Sequence, residues 1–98
     1  MSNTQLTADV SVVGLGRVGL PLALCFADRG LKVIGVENDP VRVAAVREGR
    51  MPFTEHGTQA LFDRVHASKR MSLSERVADA ARARHIVITL GTPSFSHI

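Results

Sequence analysis

The sequence predicts an α/β fold built on a parallel sheet, and three observations carry that prediction. A β-branched run ends in spaced glycines and passes straight into a helical pattern, VSVVGLGRVGLPL over 10–22. A second apolar run, LKVIGV, comes one helix later and ends on an acid, and a third, HIVITL, falls near the end of the 98-residue chain. Strand-like and helical segments therefore alternate, the pattern of parallel strands joined by helical crossovers.

Taken in order, residues 1–8 are small and polar and are expected to be a loose terminus. A strand follows over 9–13, where Val10, Val12 and Val13 are stiff at χ1 and suit a buried sheet. A helix over 17–29 carries Val18, Leu22, Cys25 and Phe26 as its expected buried stripe, with Pro21 near the start and Gly30 at the C′ position. The second strand occupies 31–36. Asp39 and Pro40 read as cap and first helical residue of a helix reaching Glu48, with Gly49 ending it. After a loop over 50–57, Leu61, Phe62 and Val65 recur at helical spacing in 58–67. A short strand is expected over 69–73. An alanine-rich helix starting at Ser72 or Ser74 should then reach Arg84, presenting Ala78 and Ala81 to the sheet. A buried strand over 85–90 runs into Gly91-Thr92-Pro93, leaving 94–98 as a tail. Right-handed crossovers order the four strands 3-2-1-4 with helices on both faces and the glycine turn at the carboxyl edge.

Composition bounds the function. The length suits one domain and not two, and 45% hydrophobic with 21% charged residues is a globular balance. No run is long enough to cross a membrane and no signal peptide is recognisable, so a cytoplasmic location is expected and a membrane partner is not. The net charge of +3 raises nucleic acid as a partner, but the basic residues are scattered and Trp and Tyr are absent, so solvated helix faces are the expectation. Cys25 is the single cysteine, cannot form an internal disulfide, and is expected to pack in the core. His56 and His66 lack metal-ligand spacing, and no metal site is expected.

Gly14, Gly16 and Gly19 complete G-x-G-x-x-G. Such a turn needs its first glycine for the tight reversal, its second for close approach of a pyrophosphate, and its third for packing helix on strand. The helix that follows aims its free amides at the phosphates. Glu37, 18 positions after Gly19, lies close to the spacing at which a carboxylate receives an adenosine ribose. Arg42, on the next helix, either reaches an adenosine phosphate or ribose or is simply solvated. The alternative to a dinucleotide site is a glycine turn with an incidental acid. The sheet is thus of Rossmann type, with fewer strands than a complete dinucleotide-binding domain.

From the first strand to Pro93 the chain resembles the N-terminal domain of the UDP-glucose/GDP-mannose dehydrogenase family. The glycine turn running into V-G-L-P, the acid-x-D-P segment at Glu37, the G-R-M-P-F stretch with Glu55 after it and the terminal G-T-P carry the resemblance. It implies NAD as cofactor, held by Gly14, Leu15, Gly16, Arg17, Val18 and Gly19, with ribose recognition by Glu37 and further contacts from Arg42 and Thr92. Arg17 stands where these enzymes often have tyrosine, and Glu37 where they usually have aspartate. A longer acid still disfavours a 2′-phosphate by like charge, so NAD over NADP is expected.

Members of the family continue for several hundred residues, and their catalytic cysteine and lysine lie in that further part. Cys25 does not match the catalytic cysteine, and no catalytic residue is assigned here. The resemblance therefore implies the NAD-binding portion of an enzyme oxidising a nucleotide-sugar C6 alcohol to a uronate, inactive by itself, with the sugar bound only in the context of the other domains. The rival readings are an N-terminal piece of a β-hydroxyacid dehydrogenase and a stand-alone nucleotide-binding or regulatory module. An open strand at 85–90 with no gatekeeper charge inside HIVITL predicts self-association through the sheet edge.

Overall fold

The computed structural model describes residues 5–53 and 57–89. Its elements are β1 (Ala8–Val13), α1 (Gly19–Asp28), β2 (Val33–Val36), α2 (Pro40–Arg47), α3 (Thr58–Ser68), β3 (Met71–Ser74), a 3₁₀ helix (Val77–Arg82) and β4 (Ala83–Ile88). The four strands form one sheet in the order β3-β2-β1-β4, with every pairing parallel, as expected from the sequence. In register, Val13 lies opposite Val36 on one side and Ile88 on the other, so the carboxyl ends of β2, β1 and the edge strand β4 are level.

Alternation along β1 separates two cores. Val10 and Val12 face α1 and α3, where Leu20, Ala23, Leu24, Phe62 and Val65 close the main cluster. Ser11 points the other way, and its buried hydroxyl donates to the Ala80 carbonyl at 3.0 Å, tying the 3₁₀ helix to a smaller cluster of Ile34, Val36 and Ala80. That bond satisfies a polar group with no access to water, which would otherwise cost about 1–3 kcal/mol.

Helix ends follow their local chemistry. Asp39 Oδ1 accepts from Val41 N–H at 2.9 Å, and Pro40 takes the first helical position. Both α1 and α2 close on a left-handed glycine, Gly30 and Gly49, with the paired backbone bonds of a Schellman motif: Gly30 N to Ala27 O and Leu31 N to Phe26 O, then Gly49 N to Val46 O and Arg50 N to Ala45 O. A two-pronged contact from Arg64 to Asp28, 3.3 Å for each prong, joins α3 to the end of α1, and that carboxylate raises the Arg64 pKa through the hydrogen bond and its charge.

Several expectations need correction. The buried face of α1 is Gly19, Leu20, Ala23, Leu24 and Ala27, whereas Val18 and Cys25 are exposed and Leu22 and Phe26 only half-buried. The helix is apolar almost all round, so its period does not choose a face; the seating of Gly19 on the turn does. The alanine-rich helix is a six-residue 3₁₀ piece that buries Ala80, leaving Ala78 and Ala81 exposed, because Ser74 Oγ accepts from Arg76 N–H and is bonded to Asp79, holding a tight turn there. The second face is therefore covered by that short element and not by an α-helix among the described residues. β1 and β4 start one and two residues earlier than expected, at Ala8 and Ala83, β2 starts two later, at Val33, and Thr7 N–H donates to Arg82 O. β4 is not buried on both faces: Val87 packs on the main core, while Ile86 and Ile88 are 50% and 63% exposed. Glu55, His56 and the segment from Leu90 on lie outside the described residues.

Candidate cofactor site

The turn after β1 assigns each glycine a separate task. Gly14 has φ +96°, its N–H donates to Val36 O at 2.8 Å, and a Cβ there would collide with the Thr89 carbonyl. A Cβ on Gly19 would run into the Gly14 carbonyl and the Thr89 hydroxyl, so α1 starts in direct contact with the turn. Gly16 differs from both. Among the described residues the nearest atoms to its Cβ position are those of the Arg42 guanidinium at 3.9 Å, an ordinary contact, so the backbone is open to an incoming group. Among the described residues no acceptor takes the N–H of Gly16, Arg17 or Val18, and α1 has no side-chain cap. These are the groups an anion satisfies at a helix start.

Leu15 is fully buried and offers the site only its backbone. Its side chain lies over Gly35 in β2, where a Cβ would come within 2.9 Å of Leu15 Cδ1.

Glu37 is 6% exposed and its carboxylate is bound from three sides. Oε1 accepts from Leu15 N–H at 2.8 Å, and Oε2 accepts from Asn38 and Asp39 N–H at 3.1 and 2.9 Å. Arg42 Nη1 stands 3.8 Å from Oε1. A carboxylate has about four acceptor positions, so three are committed to holding the turn and the start of α2 before any ribose arrives. The acid thus braces the glycine turn as well as facing the site. Together with Gly14, Val36, Asn38, Arg42 and Thr89 it lines a cavity of about 280 Å³ at the carboxyl edge of the sheet.

Of the residues expected in the site, Gly14, Gly16, Gly19, Glu37 and Arg42 converge. Arg17 and Val18 lie exposed at the mouth of α1, and the Arg17 guanidinium stacks on Phe53 at 5.1 Å. Thr92 lies outside the described residues. Thr89 is a member that no motif marks: its hydroxyl approaches the Val13 carbonyl at 3.2 Å and donates to the Gly14 carbonyl at 2.7 Å, clasping the turn from the end of β4. The 3-2-1-4 order itself was the available signal, since it sets the residue after β4 beside the residue after β1. Among the described residues no group of three His, Cys, Asp or Glu side chains is placed to hold a metal ion.

Comparison with known proteins agrees with this geometry. The family model described as "UDP-glucose/GDP-mannose dehydrogenase family, NAD binding domain" matches residues 8–97. A UDP-glucose 6-dehydrogenase of Pseudomonas aeruginosa is 42% identical over 86 residues, 84% of this chain and 18% of its own length. A GDP-mannose 6-dehydrogenase of Pseudomonas putida is 36% identical over 86 residues, covering 87% and 20%. Among solved structures, a UDP-glucose dehydrogenase from Pyrobaculum islandicum superposes with a TM-score of 0.82 at 34% identity, covering 95% of this chain and 22% of that one. The chain spans about a fifth of the length of these relatives. With its open glycine, its braced acid and a family match along nearly its whole length, the chain belongs to the UDP-glucose/GDP-mannose dehydrogenase family and carries sequence of that family's NAD-binding domain, NAD being the cofactor.

Proposed function

We propose that the chain serves as the cofactor-holding portion of a nucleotide-sugar 6-dehydrogenase, which oxidises the C6 alcohol of a nucleotide sugar to a uronate. The observation that carries the proposal is Gly16, the one turn glycine whose missing Cβ leaves space for an incoming group, flanked by free amides and a fixed carboxylate. In this reading the N–H groups of Gly16, Arg17 and Val18 hold the pyrophosphate. Glu37 uses its remaining acceptor capacity on the adenosine ribose, and Arg42 lies over both. A 2′-phosphate would bring like charge against a carboxylate already desolvated, which selects NAD over NADP. The bound nicotinamide supplies the hydride acceptor; the residues described here bind and orient it.

A cytoplasmic location is part of the proposal; the firmer finding is that no helix among the described residues is long and apolar enough to cross a membrane. Self-association is proposed through the exposed side of β4.

Calorimetric titration of the chain with NAD and NADP tests the cofactor reading. Saturable NAD binding with NADP at least about tenfold weaker is expected, since one repelled charge at short range is worth that much. Equal affinities, or no NAD binding by a folded chain, overturn it. Glu37→Ala is a poor control because it also unties the turn.

A further inference from the structure

Beside the 3₁₀ helix, a groove of about 550 Å³ runs from the amino-terminal ends of β1 and β2 along β3 to Ser74, with its cations gathered at the end of the sheet away from the glycine turn. Its described lining includes four cations, Lys32, Lys69, Arg70 and Arg82, against one carboxylate, Asp79. That carboxylate is already engaged, by the Ser74 hydroxyl at 2.6 Å and by Arg82 at 3.7 Å. Among the described residues neither Lys32 nor Lys69 has an ion-pair partner. The cations surround a hollow and do not form a ridge, and the volume falls within the range of small-molecule sites.

Lys69 supplies an independent observation. It ends α3 with φ 59° and ψ 24°, and it is the one described residue other than glycine with a positive φ. α1 and α2 close on glycine at the same step, where glycine carries no Cβ penalty. A lysine in that conformation gives up stability that a glycine would retain, and Lys69 belongs to the lining of the groove.

We propose that this groove is a second anion site that takes a phosphorylated small molecule, with Lys32 and Lys69 as the free charges and Arg82 as a fork shared with Asp79. Lysine binds phosphate as a compact point charge and arginine as a planar fork, so the set suits a dianionic phosphate group. No aromatic side chain lines the groove among the described residues, which argues against stacking of unpaired nucleic-acid bases. The inference does not depend on NAD binding at the other end.

The test is an NMR titration of the full chain with inorganic pyrophosphate, read residue by residue. Saturable shifts at the amides of Lys32, Lys69 and Ser72 are expected, unchanged in Gly16→Ala, which blocks the glycine turn. Lys32→Ala and Lys69→Gly should each weaken binding roughly three- to fivefold, as for an exposed charge pair. Lys69→Gly should at the same time melt no lower than the parent, so that its loss of binding cannot be read as misfolding. Glucose 1-phosphate and ADP then distinguish a sugar phosphate from a nucleotide as the source of the group, and saturation by either supports the site. Shifts reproduced by sodium chloride at matched ionic strength, no saturation at the groove amides with any of the three phosphates, or full affinity in Lys69→Gly would overturn the proposal.

Discussion

Replacing Glu37 by glutamine tests whether this acid is a brace as well as a ligand. The substitution is nearly isosteric, but one carboxylate oxygen becomes an NH₂ group. If the NH₂ takes the Oε2 place it faces two donors, Asn38 and Asp39 N–H; if it takes Oε1 it faces one, Leu15 N–H at 2.8 Å. The second arrangement costs less. It leaves one buried N–H unpaired, about 1–3 kcal/mol, and converts two charge-assisted bonds to neutral ones, bringing the total to about 2–5 kcal/mol. For a domain of this size each kcal/mol moves the midpoint by about 4–8 °C, so Glu37→Gln should melt at least about 10 °C below the parent without any cofactor present. Glu75→Gln is the control: that acid is 53% exposed with an arginine at 3.5 Å, and its loss should shift stability by less than about 1 kcal/mol. Circular-dichroism melts of the three proteins suffice. A Glu37→Gln midpoint within about 3 °C of the parent would refute the brace, because no arrangement of the amide keeps all three bonds.

Variants in the glycine turn and on β4 have equally definite outcomes. Gly16→Ala adds a methyl whose nearest described neighbour is the Arg42 guanidinium at 3.9 Å, so urea unfolding should change by less than about 1 kcal/mol while NAD affinity is lost; Gly19→Ala drives a Cβ into the Gly14 carbonyl and should cost about 3 kcal/mol or more before binding is considered. Equal stability of the two variants would contradict the division of labour in the turn. On β4, lysine at both Ile86 and Ile88 should leave the melt nearly unchanged while abolishing any concentration-dependent sedimentation of the parent, since these side chains are 50% and 63% exposed. Association that survives both lysines would place the contact elsewhere.

The tight turn at Gly14 and the helix ends marked by Asp39-Pro40, Gly30 and Gly49 were legible because each is decided within a few residues of chain, and the strand order followed from the handedness of the crossovers. What was not legible is decided across it. Glu37 is spaced as a ribose ligand, but nothing local reveals that its carboxylate reaches back to Leu15. Thr89 reads as an ordinary strand end until β4 lies beside β1. Cys25 was misplaced because the ten residues of α1 include only one charged side chain, Asp28, and an apolar helix shows no preferred face. The groove beside the 3₁₀ helix draws Lys32 from before β2, Lys69 from before β3 and Arg82 from before β4, residues that look scattered in sequence and are neighbours only because parallel strands start at one edge.

The packing of Leu15 over Gly35 bears on how such a turn can be inherited or engineered. The cofactor loop inserts one of its own side chains into the main core through a gap that a different strand must leave open. A recombination or graft that moved residues 10–22 into another sheet without a glycine at the facing position would deliver the motif intact in letters and broken in shape. The smallest transferable unit is therefore β1, its turn, α1 and β2 together, and any library that shuffles this region should place its crossover points outside that unit.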